Sequence, residues 1–485
     1  MRIKQAILLL IIVTAVLAGL QFSHTRLQQD DYFHIRASSL LIEQGVQREF
    51  PWLKHTVLEK QYHDMYFLFH VLLIPFSLIN PLVMAKVASI LFAAVSAFVF
   101  FWFLERYQIE HSFLWTIIFI FGSSSFLTRM LALRPIALSS YFYVLALFIL
   151  FERKHVWLSL IGYLFVLSYG AFPVFILIVL LYSMCFSIFQ RKIEWKPLIF
   201  SFGGVAAGFM VNPYFPNSLR VLSIQIVSLG LQSQNMQMNL EWMPLSTWAF
   251  LLSTTGIYAM LIIVAAAALR GEQTSNFRQT LLFVIMIVFL LVYAKYARGV
   301  DQFVPFAVLF SSFYLSNYLK LAQRLRIKNE KNAQRWIKSA FIVVTVAASL
   351  VNISLVWHTF RSREFMDNSG CARWLYDNTP AGSEVFLTNY GSFPELFFYN
   401  QHNVYTVGFD PIFMQKYDKQ LYLHYVSALK LASDPYPIIK DMFNAPYIHV
   451  ENIPQSKDFY TYLKNAPNLY ALVYIDDFSA VFEVK

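Results

Sequence analysis

Apolar residues in this chain come in long blocks separated by short polar breaks. A helix needs about 20 apolar residues to cross a bilayer. Runs of that length, or close to it, lie at about 5–22, 82–104, 113–128, 135–151, 156–170, 171–189, 197–212, 245–269, 280–294, 302–319 and 339–357. A further run, Tyr66 to Ile79, ends at Asn80-Pro81 and reads either as another span or as a helix lying in the interface. Beyond residue 357 the pattern changes: apolar runs become scarce and half of the chain's acidic residues appear. This tail reads as mixed α/β. It has a helix near 364–377, a strand at Glu384–Thr388, a helix near 393–399, a strand at Asn403–Val407, and a terminal hairpin whose arms, Leu472–Ile475 and Ala480–Val484, flank Asp476-Asp477. The expected fold is a polytopic α-helical membrane protein with about eleven transmembrane helices and a C-terminal soluble α/β domain. Residues 1–357 form the membrane part, with long loops at 23–81 and 213–243, and 358–485 form the tail.

Composition sharpens this picture. Of the 485 residues 58% are hydrophobic and 14% charged, against roughly a quarter charged in soluble chains, so lipid is the main solvent. The net charge of +10 would suit nucleic acid if it were gathered in one patch, but it lies in short segments between apolar runs, and no nucleic-acid partner is expected. Basic loops mark the cytoplasmic side. With the N-terminus inside and 66–79 not crossing, the inner loops hold Arg106, Arg153, Lys154, Arg191, Lys192, Lys196, Arg270, Arg278 and the seven basic residues of 320–338. The short outer loops between later spans then hold only Arg129, Arg134, Arg220, Lys295 and Arg298. A crossing at 66–79 would reverse that asymmetry, so eleven spans are preferred. Loops 23–81 and 213–243 and the tail then lie outside. The first run, behind Arg2 and Lys4, is read as an uncleaved span rather than a signal peptide because many spans follow. Cys185 and Cys371 are the only cysteines, which leaves no disulfide framework and no CxxC motif.

Candidate chemistry begins just after the first span, at Asp30-Asp31-Tyr32-Phe33-His34-Ile35-Arg36, which opens a helical pattern ending at Gly45. Acidic residues favour a helix start, so capping alone accounts for one aspartate. Two adjacent carboxylates repel, and beside a membrane one of them needs a cation, a proton or a basic partner. His55, His63, Asp64 and His70 in the same loop read as solvated residues rather than a metal cluster.

The segment Asp30 to Arg36 resembles the D-x-Y-Y/F-H/N-x-R signature in the first outer loop of GT-C glycosyltransferases, and most of all the catalytic subunits of oligosaccharyltransferases. The resemblance implies that Asp30 is the catalytic, metal-coordinating aspartate, with Asp31 in the variable position and His34, Arg36 and Asp64 in support. Glu241-Trp242-Met243-Pro244 resembles the family's E-x-x-P element, whose Glu serves the acceptor and metal region. Arg298, in a short outer loop, matches the place of an Arg that grips the donor's phosphate, and Arg134 is a second candidate for that role. Two departures matter. The tail lacks the W-W-D-Y-G element, Asn389-Tyr390-Gly391 being its nearest echo, and the loop Thr128 to Pro135 is basic where the family is acidic. Transfer to Asn sequons is therefore not expected. Mg2+ or Mn2+ held through Asp30 and Glu241, and a metal-independent reaction, both stay open.

The resemblance implies transfer of a sugar from a polyprenyl-phosphate-linked donor to a lipid, glycan or protein acceptor, with inversion and with Asp30 as base. The setting would be a bacterial inner membrane, surrounded by membrane lipids, with the tail in the periplasm. Competing readings are a non-catalytic transporter or envelope-assembly factor, and a polysaccharide ligase or polymerase of another multi-span fold. Transporters place ionisable residues at mid-membrane and often carry inverted repeats, whereas these runs are nearly charge-free and no repeat is visible. Ligases and polymerases carry functional Arg and His residues in a large late loop, whereas here the acidic site comes first.

Overall fold

The computed structural model describes residues 2–230, 240–269, 276–325, 330–362 and 367–485. The polar run that follows Leu231, and the basic residues Arg270, Arg326 and Lys328, lie outside them. In chain order the helices are α1 (Ile3–Gln21), α2 (Gln29–Gln44), α3 (Phe67–Ser77), α4 (Pro81–Arg106), α5 (Ser112–Phe121), α6 (Ser124–Leu131), α7 (Ile136–Phe151), α8 (Trp157–Ser168) and α9 (Phe172–Gln190). Then follow α10 (Lys196–Val211), α11 (Asn217–Gly230), α12 (Thr247–Leu252), α13 (Thr255–Ala268), α14 (Phe277–Lys295), α15 (Val300–Leu325) and α16 (Glu330–Ser362). The chain divides into two compact units. One comprises Met1–Thr25, Val83–Gly208 and Met238–Arg363; the other comprises Arg26–Leu82, Phe209–Gln237 and Glu364–Lys485.

In the first, helical unit, every long apolar run folds as helix, but two runs fold as broken pairs: 113–128 as α5 and α6, and 245–269 as α12 and α13. Among the described residues five helices are long and apolar enough to cross a membrane, or six if the α5–α6 pair, bent by 81°, counts as one span. Among the described residues α3, α7, α8, α10 and α13 are shorter apolar helices of 10–17 residues, and α3, in the second unit, has 11. At 1.5 Å per residue α3 is about 16 Å long, roughly half the hydrocarbon thickness.

The bend between α5 and α6 has a local cause. A Cβ on Gly122 would lie 2.3 Å from the Ile118 carbonyl oxygen and 2.9 Å from Ile257 Cδ1, so only glycine fits there. Ser123 is extended and caps α6, its Oγ accepting the Phe126 N–H. Backbone groups freed inside an apolar bundle need partners. Asn352 Nδ2 of α16 donates to the Phe121 carbonyl at 3.1 Å, and Ser123 Oγ donates to the Ser253 carbonyl at 2.8 Å. The second contact joins the α5–α6 break to the break between α12 and α13. The consequence for function is direction: α6 departs from the line of α5 and carries Arg129 in its last turn, with Arg134 just beyond.

In the second unit the elements after residue 367 are α17 (Ser369–Asn378), β1 (Glu384–Leu387), α18 (Phe393–Tyr399), β2 (Val404–Tyr405), β3 (Tyr447–Glu451), β4 (Tyr470–Ile475) and β5 (Ser479–Val484), with further short helices between β2 and β4. They form a five-stranded sheet in the order β2-β1-β3-β5-β4. β1 is parallel to β2 and β3, while β5 is antiparallel to β3 and β4. The two β-strands and the hairpin read from the sequence are present; the central strand β3 was not read. Its Tyr-Ile-His-Val-Glu sequence does not look buried, yet His449 and Glu451 are fully enclosed.

The first long loop does not stand apart from this sheet. Phe33, Phe50, Trp52 and Leu53 share one core with Phe393, Phe397 and Tyr405. Leu53 bridges Tyr405 in parallel, the Tyr405 N–H donates to the Trp52 carbonyl at 2.8 Å, and Trp52 Nε1 donates to the Gln401 carbonyl at 2.9 Å. Loop 26–82 and the tail are thus one folded body, held by burial of large aromatic surfaces.

Candidate functional site

Two groups of candidate residues emerge, one in each unit. In the second unit, α2 starts at Gln28, and Asp31 closes a capping box by accepting the Gln28 N–H at 3.3 Å. Asp31 is fully buried in this role, while Asp30, one residue earlier in the same acidic first turn, is only half-buried. The fold therefore separates the two carboxylates: Asp31 is spent on the helix start. Arg36 makes a two-pronged pair with Glu43, at 2.8 and 3.0 Å, and donates to Gln401 at 2.9 Å, which ties α2 to the tail.

The histidines of the first loop are not solvated, contrary to expectation. His55 pairs with buried Glu384 at 2.7 Å. His63 is enclosed, and burial drives its imidazole down to about 4 against the pull of Asp64. Asp64 and His70 lie 2.6 Å apart and are both buried. The sequence reading named both residues but not their pairing, because scattered residues of a long loop carry no periodicity; the turn before α3 pairs Asp64 with His70, and packing of α3 against α2 brings His70 to within 2.8 Å of His34.

The tail contributes a second buried polar network. Asn368 Nδ2 donates to Glu395 and Glu451, each at 3.1 Å, and its Oδ1 lies 3.0 Å from His449 Nε2. Asn389 Nδ2 donates to Glu451 at 2.6 Å. Burial raises the Glu395 carboxyl to about 7 despite its bonds to Asn368. The turn Tyr390–Ser392 that follows Asn389 lies beside α2: a Cβ on Gly391 would be 3.5 Å from the Gln29 amide.

In the helical unit, three guanidinium groups gather on one carboxylate. Glu241 sits in the single turn Leu240–Trp242 that precedes α12. Arg134 Nη1 approaches its Oε1 at 2.5 Å and Arg129 Nη1 at 2.9 Å, while Arg298 Nη1 lies 4.0 Å from its Oε2. Burial opposes the charge on Glu241, but Arg134, Arg129 and Arg298 outweigh it and hold the carboxyl well below the usual carboxylate range. Arg129 also forks onto Asp301, Nε to Oδ1 at 2.5 Å and Nη2 to Oδ2 at 2.8 Å. Asp301 is thus the partner of Arg129. Arg298 instead donates to Tyr169 Oη at 2.6 Å and lies over the Trp242 ring at 5.1 Å. The Ala297 N–H donates to the Met243 carbonyl at 3.0 Å, pinning the Arg298 turn to the Glu241 turn.

The structure therefore brings Arg134, Glu241 and Arg298 together and adds Arg129, Asp301 and Tyr169. Arg134 is engaged in this cluster through Glu241. The available signal for Arg129 was its presence with Arg134 in an outer stretch otherwise poor in positive charge. Arg129, Arg134, Arg298 and Glu241 are only partly buried, while Asp301 is fully enclosed. Among the described residues no group of three or more His, Cys, Asp or Glu is arranged to hold a metal ion.

No protein-family model matches the sequence, and no curated protein matches it. Solved structures do. The Archaeoglobus fulgidus oligosaccharyltransferase in the apo form matches with a TM-score of 0.63 at 12% identity, over 92% of this chain and 69% of that one. ArnT from Cupriavidus metallidurans matches in the apo state with a TM-score of 0.56 at 12% identity, over 97% of both chains. ArnT bound to undecaprenyl phosphate matches with a TM-score of 0.58 at 14% identity, over 99% of this chain and 98% of that one. The chain has the GT-C fold.

Proposed function

We propose that this protein is a GT-C-type glycosyltransferase that moves a sugar from a polyprenyl-phosphate-linked donor to a lipid, glycan or protein acceptor. The observation that carries the reading is the meeting of Arg129, Arg134 and Arg298 at Glu241. A phosphodiester donor brings one negative charge, and its departure as polyprenyl phosphate develops a second. Preorganised guanidinium groups in a partly dry site stabilise that developing charge most, because they need not reorient as it forms. The fold shared with an ArnT that was solved bound to undecaprenyl phosphate supports a donor of this class.

In this reading Asp30 takes the proton of the acceptor hydroxyl. The acceptor oxygen bonds to the anomeric carbon while the carbon–phosphate oxygen bond breaks, its electron pair leaving with the phosphate. Attack opposite the leaving group inverts the anomeric centre. Arg134 and Arg298 hold the phosphate; Arg129, fixed by Asp301, and Glu241 hold those two in place. A carboxylate approached by three guanidinium groups suits a neighbouring anion better than Mg2+ or Mn2+, so the reading places no metal at Glu241. The work is assigned to the outer face of a bacterial inner membrane, with the tail in the periplasm.

The test is transfer of radiolabelled sugar from a polyprenyl-phosphate donor by the full chain in proteoliposomes. Asp30→Asn should lower turnover by about 10²- to 10⁴-fold, the usual worth of a general base, while donor binding is retained. Parental turnover by a folded Asp30→Asn protein would remove Asp30 from the mechanism. Donor flux without a covalent product would replace the enzyme by a transporter.

A further inference from the structure

Beneath the acidic start of α2, three buried side chains stand in line. Asp64 Oδ2 is 2.6 Å from His70 Nδ1, and His70 Nε2 is 2.8 Å from His34 Nδ1. Their exposures are 4%, 0% and 3%. The other oxygen of Asp64 accepts the Tyr66 N–H at 2.8 Å, which fixes the carboxylate. Aromatic edges wall the line: Tyr66 and Phe69 meet the His34 ring at 4.8 and 5.4 Å, and Phe33 meets His70 at 5.7 Å.

Proton counting gives this line a direction. An imidazole–imidazole hydrogen bond holds one proton, and an ionised carboxylate only accepts. With both rings neutral, His70 Nδ1–H donates to Asp64 and His34 Nδ1–H donates to His70 Nε2. The tautomers are then set, and His34 Nε2 carries a lone pair. A proton arriving at that atom makes His34 cationic. Its Nδ1 proton can then pass to His70 Nε2, which leaves the positive charge beside Asp64. His34 follows Asp30 by four residues on one helical face, and helical side chains lean toward the N-terminus, so His34 leans toward the turn that carries Asp30.

We propose that Asp64, His70 and His34 form a proton relay that takes from Asp30 the proton removed from the acceptor. The proposal rests on Asp30 acting as base in the reading above. The Asp30 O–H bond breaks, a His34 Nε2–H bond forms, and the Asp30 carboxylate is restored; the proton later leaves to solvent. The Asp64 carboxylate, 2.6 Å from His70, stabilises the positive charge that the transfer brings to the buried pair. Among the described residues, the titratable groups at the line are Tyr66 ahead of α3, and Tyr62, His63 and Tyr214, which feel the Asp64 charge; Asp30 and Asp31 lie in the first turn of α2. On this side the tail presents only apolar rings to Phe33, from Phe397 and Phe409. Glu395 of α18 acts on Tyr32 instead.

Asp64→Asn and His34→Gln in the full chain separate a relay from a structural tie. A relay predicts turnover lowered by about 10- to 100-fold, a donor KM within about twofold of the parent, and a kcat–pH profile altered in shape. A structural tie would lower the melting temperature and leave the shape of the profile unchanged. Folded variants with parental turnover and profile would overturn the relay. An activity-independent check is ¹⁵N NMR of the histidine rings in micelles. His34 and His70 should take up one proton between them in a single shared step that Asp64→Asn weakens; two independent titrations would also overturn the proposal. Failure of Asp30→Asn to slow transfer, with the shared step intact, would strike the assignment of Asp30 and the donation from it, while leaving the wiring in place.

Discussion

The two units solve the problem of holding charge in opposite ways. In the helical unit, three guanidinium groups meet the Glu241 carboxylate, and all four side chains keep part of their surface. In the second unit, Asp64, Glu395 and Glu451 are buried and meet imidazoles and amides rather than guanidinium groups. Fixed, partly exposed guanidinium groups suit anion binding. Neutralisation by hydrogen bonds and shared protons suits a well-specified core. The difference teaches that one chain holds its carboxylates by two chemistries, each built by the packing of its own folded body.

That contrast can be broken most forcefully at the guanidinium cluster. Replacing both Arg134 and Arg298 with alanine should lower turnover by at least about 10³-fold and abolish detectable binding of polyprenyl phosphate, since one such charge-stabilising donor is commonly worth 10²- to 10³-fold. The Arg→Lys versions should recover only part of this, because lysine lacks the fork. Binding and transfer assays on one preparation decide the matter; retained affinity in the double alanine variant would refute the phosphate role.

The next effect sharpens the contrast through pH. Burial holds Glu395 protonated up to about 7, whereas an unfolded Glu titrates near 4.5, so this residue makes the folded state less stable as pH rises from about 4.5 to 7. Burial keeps His449 neutral down to about 4, whereas an unfolded His titrates near 6.5, so this residue makes the folded state less stable as pH falls from about 6.5 to 4. Between these limits the two slopes oppose. Relative to the parent, Glu395→Gln should gain stability as pH rises toward 7, by up to about 3 kcal/mol, and His449→Gln should gain as pH falls. Thermal melts at pH 5, 6 and 7 would show it; curves parallel to the parent would disprove it.

The smallest effect concerns the paired aspartates. Asp31→Asn should cost about 1 kcal/mol, the usual worth of a helix cap, and slow transfer far less than Asp30→Asn. Equal loss of turnover in both variants, with unchanged melting temperature, would reassign Asp31 to the chemistry.

The apolar runs were legible because a span needs many consecutive apolar residues, and each run does fold as helix. Their breaks at Gly122–Ser123 and Ser253–Thr254 were not, because small residues barely interrupt hydropathy while hydrogen bonds from Asn352 and Ser123 stabilise the interruption. Glu241 and Arg298 could be named in advance from the motifs they resemble, and Arg134 as a second candidate. Their common meeting point, and the pairing of Arg129 with Asp301, were not legible and depend on the bend of α6.

The sequence by itself determined that this is a multi-span chain with an acidic helix start and a mixed α/β tail, because periodicity, run length and capping chemistry are local properties. Only the tertiary structure decided that loop 26–82 folds with the tail, that Asp31 is buried as a cap while Asp30 stays accessible, and that Asp64, His70 and His34 line up. Those outcomes depend on which distant aromatic surfaces bury each other and on which buried polar atoms then have to find partners, and neither is written in any single stretch of the chain.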